Sequence, residues 1–119
     1  MEVHMINTFP TSIMEINSGE SLLIYLKESG LKIDHWSGIP GTQNCIYLPD
    51  KSSFNWKKAD GIVRVNTKEH AKQMIEAHTG LEMQRNGTGD SVRDFSLLIH
   101  TEAVLIKVID ALKLIEGNM

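Results

Sequence analysis

The sequence predicts an α+β domain: a mostly antiparallel or mixed sheet of about five to six strands with three helices, the C-terminal helix packed centrally on the sheet. Three observations lead there. Short runs alternate apolar and polar residues, which is the period of half-buried strands. Longer stretches carry helical spacing between a capping residue and a glycine. Several neighbouring strand candidates are joined by segments too short for a crossover helix, so those strands pair antiparallel. A chain of 119 residues, 41% hydrophobic and 23% charged, has the size and composition of one globular domain, taken as residues 1–119.

In chain order, Val3, Met5 and Asn7 suit a first strand ended by Pro10, and Ile13, Met14 and Ile16 a second. Asn17 followed by Glu20 reads as a helix cap with its reach-back partner. Leu22, Leu23, Tyr25 and Leu26 give that helix an apolar face, and Gly30 closes it. Leu31, Ile33 and His35 alternate with Lys32, Asp34 and Trp36, as in a strand. A turn at Gly38-Ile39-Pro40-Gly41 precedes a strand over Cys45, Ile46, Tyr47 and Leu48, which Pro49-Asp50 ends. After Ala59-Asp60-Gly61, the β-branched run Ile62, Val63 and Val65 predicts another strand. Asn66 and Glu69 repeat the capping signature before a second helix with Ala71, Met74, Ile75 and His78 on one face and Gly80 at its end. Residues 86–91 read as a loop or hairpin turn. Phe95, Leu97 and Ile99 mark a last strand, and Thr101 caps a final helix that Gly117 closes.

That final helix carries more apolar surface than one core stripe needs. With Val108 at the centre and about 100° per residue, Val104, Leu105, Ala111, Leu112 and Ile115 fall within about 60° of it. Ile106 lies about 160° away and Ile109 about 100° away, with Leu114 about 120° away on the other flank. Either a loop or helix of the same chain covers Ile106, Ile109 and Leu114, or they meet another protein chain, a second copy of this one included.

A second candidate surface is the segment from Lys51 to Lys58. Phe54 and Trp56 among Lys57 and Lys58 have the makings of a base-stacking, phosphate-holding strand or of a protein-binding hot spot. The same pattern also describes a strand with its aromatics inward and its lysines in solvent. Twelve Lys and Arg against fifteen Asp and Glu leave a net charge of −3, which argues against a dedicated nucleic-acid binder.

No motif dictates a chemistry, and no catalytic residue, metal site or cofactor is assigned. His70 and His78 stand eight residues apart, about 12 Å along a helix, too far to share one metal ion. His100-Thr101-Glu102 matches the H-x-E of zinc deaminases, but the single cysteine, Cys45, cannot supply their paired thiolates. His35 and Cys45 fall on adjacent strands; a buried structural thiol describes Cys45 better than a nucleophile at a helix start. The glycines around Pro40 and Asn86 lack the endings of phosphate-binding loops and read as turns.

The lone cysteine, the lack of a basic leader region and the polar interruptions through residues 95–109 make the cytoplasm the expected setting, with no membrane span. The functional expectation is a small protein-binding module, of an inhibitor or immunity kind, acting on another chain or as a homodimer. The alternatives are a small enzyme using His35 or His100 with Asp34, and a single-stranded nucleic-acid binder.

Overall fold

The computed structural model describes residues 18–39, 43–57, 62–86 and 94–118. Among them are helix α1 (Gly19–Glu28), strands β1 (His35–Ile39), β2 (Gln43–Tyr47), β3 (Ser53–Lys57) and β4 (Ile62–Thr67), helix α2 (Glu69–Thr79), strands β5 (Gln84–Asn86) and β6 (Asp94–Ile99), and helix α3 (Glu102–Gly117). The strands expected at residues 3–7 and 13–16, and the turn at residues 59–61, lie outside the described residues.

The six strands form one sheet in the order β1-β2-β3-β4-β6-β5, antiparallel at every pairing. Strands β1 to β4 follow one another as a meander. The chain then crosses through α2 to β5 at the far edge and returns as β6 between β5 and β4. The fold is therefore α+β, as the short connections required.

Period-2 alternation gives the sheet two unlike faces. Ile46, Phe54, Val65 and Leu97 are cross-strand neighbours, all buried, and Asn44, Trp56, Val63 and Ile99 form the next buried row. All three helices pack on this side. Helix α1 lies against β2 and β3, α2 against β4 and β6, and α3 packs most closely on α2 with β6 as its main strand neighbour. The central position expected for α3 thus resolves into a place beside α2. Leu22, Tyr25 and Leu26 of α1, Ala71 and Ile75 of α2, and Leu105, Val108, Ile109, Ala111 and Leu112 of α3 join the strands in one core cluster.

Several boundaries move, each for a physical reason. The cap of α1 is Ser18, whose hydroxyl accepts from the Ser21 amide at 3.0 Å; this puts Glu20 in the second helical position, one short of the reach-back place. Asn66 and Thr67, expected to open α2, stay in β4 because they pair with Ser96 and Phe95 of β6, and Lys68 takes the cap position with no side-chain capping bond. Tertiary pairing outweighs the local capping signal there. Strand β1 starts at His35, later than the alternation from Leu31 implies, and runs through Gly38 and Ile39, where a turn was expected. The short β5 reaches the start of the expected loop at Asn86, and its strand partner among the described residues is β6. Two ends match. Thr101 accepts from the Val104 amide at 3.2 Å to cap α3, and Gly80, at φ 72°, ends α2 in the left-handed conformation that side chains disfavour.

Candidate functional site

Helices α1 and α3 meet along a seam with defined polar contacts. Tyr25 Oη donates to Glu102 Oε2 at 3.1 Å, Lys113 Nζ donates to the Ser29 carbonyl at 3.0 Å, and the Lys32 amide donates to Glu116 Oε2 at 3.0 Å. Burial first, then the hydrogen bond and negative charge of Glu102, push the Tyr25 hydroxyl well above its ordinary pKa. It is a fixed donor at any ordinary pH. Beside these contacts lies a groove of about 310 Å³, lined by Tyr25, Glu28, Ser29, Ile106, Ile109 and Asp110.

The groove contains two of the three helix residues singled out in the sequence, and it separates their roles. Ile109 is only 3% exposed and belongs to the core, whereas Ile106 is 45% exposed. The expectation that both are left over is corrected for Ile109. The buried residues of α3 run from Ala111 through Val108, Leu112 and Leu105 to Ile109, so its buried stripe is centred about 30° from Val108, toward Ile109. On that flank Ile109 lines the groove together with Tyr25, Glu28 and Ser29. Leu114 stays on the outside, 51% exposed, and Ile24 on the outer side of α1 is 55% exposed. Helical geometry puts Ile24 about 40° around α1 from Glu28, so exposed apolar side chains flank the groove on both helices. Ile24 escaped the sequence reading, although its place opposite Leu22 and Leu26 was legible there.

The aromatic–lysine segment resolves differently. Phe54 and Trp56 are 0% and 3% exposed, because β3 is an interior strand and both residues face the helices. Neither ring is presented to a base or to a partner, so the stacking and hot-spot expectations at Phe54 and Trp56 are corrected. Lys57 is exposed, and Lys58 lies outside the described residues.

The histidine candidates do not assemble. His35 Nδ1 meets Asp34 Oδ2 at 2.7 Å and its ring stacks on Tyr47 with centroids 4.5 Å apart, but both Asp34 and His35 are more than half exposed. Cys45 is opposite Ser37 rather than His35, and its Sγ accepts from Asn55 Nδ2 at 2.7 Å. The neighbouring Cys45 thiol pushes the Tyr47 pKa upward. His100 follows β6, four strand spacings or about 19 Å across the sheet from β1, so it cannot act with His35 and Asp34. Thr101 and Glu102 serve the helix cap and the Tyr25 bond, which accounts for the H-x-E pattern.

One constellation went unnoticed in the sequence. Asp50 Oδ2 accepts from the Ser52 hydroxyl at 2.8 Å and meets His70 Nε2 at 2.9 Å, while Ser52 Oγ also lies 2.7 Å from Thr67 Oγ1. The residue types are those of a catalytic triad, but the order is wrong. A histidine must stand between serine and carboxylate to take the proton, and here the carboxylate stands between them. Ser52 is fully buried, so no substrate reaches it. The cluster instead locks the β2–β3 turn to β4 and α2. Among the described residues no group of three or more His, Cys, Asp or Glu is placed to hold a metal ion, and no helix is long and apolar enough to cross a membrane.

Family models, curated proteins and solved structures offer no match to this chain. The reading of function therefore stands on the groove itself.

Proposed function

We propose that this protein works by association, as a small binding module that docks another protein chain in the groove between α1 and α3. One observation carries the reading. The fold buries Ile109 and Tyr25 as a floor and leaves Ile106 half exposed beside them, with Leu114 and Ile24 exposed on the flanking helix surfaces. Apolar side chains gathered beside a concavity are the usual mark of a docking surface. An inhibitory or immunity-type role, in which the bound chain's working surface is occluded, is the form of association we favour. A cytoplasmic setting belongs to the same proposal and is supported by the lone thiol.

The competing reading, acid–base chemistry at Asp34 and His35, rests on one 2.7 Å contact in open solvent, where nothing excludes water from a reaction. The discriminating experiment is capture from native lysate on immobilised wild-type protein, Ile106→Asp and Leu98→Asp. Leu98 is 40% exposed on the sheet face opposite the helices and serves as the control. A partner retained by wild type and Leu98→Asp but lost by Ile106→Asp supports docking at the groove. Equal capture by all three proteins refutes it, as does no capture by any.

A further inference from the structure

We infer that the chain docked in the α1–α3 groove presents a cationic apolar segment: an apolar side chain that enters over Ile109, with lysine or arginine beside it. This rests on the docking reading above and adds the chemistry of the partner. The charged side chains along the seam divide into two groups. Glu102, Lys113 and Glu116 are each engaged within the chain, on Tyr25, the Ser29 carbonyl and the Lys32 amide. Glu28 and Asp110, the charged groups that line the groove, are both carboxylates, both exposed, and neither has a side-chain hydrogen bond or ion pair among the described residues. Lys27 and Lys107 are close in sequence to these carboxylates but do not line the groove.

An apolar floor between two unengaged carboxylates is complementary to a segment that alternates apolar and basic side chains. The net charge of −3 adds long-range attraction of the same sign. The same carboxylates argue against a second copy of this chain as the occupant. A two-fold contact brings one patch against itself, so Glu28 and Asp110 of each copy would face their own kind.

The test uses a phage-displayed library of random 12-residue peptides, selected on the whole wild-type chain and on a Glu28→Lys, Asp110→Lys double variant. Both residues are exposed, so the variant should fold; Glu28→Gln, Asp110→Asn is the second variant should its melt say otherwise. The inference expects wild type to enrich peptides that combine apolar residues with Lys or Arg. A synthetic copy of the best should bind about tenfold more weakly to the double variant by fluorescence anisotropy, and should weaken as salt screens the contact. Enrichment of purely apolar or acidic peptides that Ile106→Asp still loses overturns the cationic partner and leaves the docking reading standing. Failure to enrich any peptide that depends on Ile106 overturns both. A dimer by light scattering that Ile106→Asp dissociates overturns the inference in favour of self-association.

Discussion

Replacing Ile109 and Ile106 separately with alanine tests the assignment on which the groove depends. The two residues are three apart on α3 and chemically identical, so only their surroundings differ. Ile109, 3% exposed, packs in the core, where an Ile→Ala change costs about 2–5 kcal/mol. Because it also lines an open groove, the lost volume is partly replaced by solvent, and the lower half of that range, about 2–3 kcal/mol, is expected. Ile106, 45% exposed, gives up about half the burial of a core isoleucine, and alanine's better helix propensity returns a few tenths of a kcal/mol. Its net cost should stay under about 1 kcal/mol. For a domain of this size each kcal/mol is worth about 4 °C, so Ile109→Ala should melt about 8–12 °C below wild type and Ile106→Ala within about 4 °C of it. Circular dichroism at 222 nm reads both melts, and urea unfolding should show lower midpoints at unchanged slopes. Equal losses, or a larger loss at Ile106, would refute the rotation of α3 and remove the groove with it.

Two further outcomes follow from single contacts. A Cβ at Gly19 would sit 1.9 Å from Asn44 Oδ1 and 2.1 Å from its Cγ, so Gly19→Ala should destabilise by at least about 1–3 kcal/mol despite alanine's helix preference; pairing it with Asn44→Gly in a thermal double-mutant cycle should recover part of that loss, and simple additivity would sink the steric account. For Tyr25 the folded pKa lies above the unfolded value near 10.0, so above about pH 10 the unfolded chain releases a proton that the folded chain keeps, and stability falls as pH rises. Tyr25→Phe should flatten that decline by up to about 1.4 kcal/mol per pH unit in urea titrations between about pH 10 and 11.5, with a residual slope from Tyr47, whose pKa is also raised; an unchanged slope would show that the Tyr25 hydroxyl is neither buried nor bonded to Glu102 in solution.

How much of this was legible beforehand depended on the range of the interaction involved. The alternation at Phe95, Leu97 and Ile99, the helical face of Ala71 and Ile75, the Thr101 cap and the closing Gly80 are properties of neighbours in the chain, and each appears where the pattern put it. The absence of room for crossover helices among the first strands was enough to make the sheet antiparallel. The candidate site was half legible. Ile106 and Leu114 stand out from the α3 stripe by angle alone, and both are exposed.

Other features needed the packed molecule. The capping signal at Asn66 yields to a ladder with β6, a strand about thirty residues away, and nothing local announces that competition. The direction of Phe54 and Trp56 follows from alternation, but which face of β3 the helices cover is settled only by where α1 and α2 return to the sheet. The same holds for the surplus apolar surface of α3. Periodicity shows that one stripe cannot contain Ile106, Ile109 and Leu114 together. It cannot say where around the helix the core ends, because that boundary depends on which parts of the folded chain pack against α3. Ile109 is buried and Ile106, one turn away, is half exposed, and the groove that both line with Tyr25 and Glu28 of α1 marks that boundary.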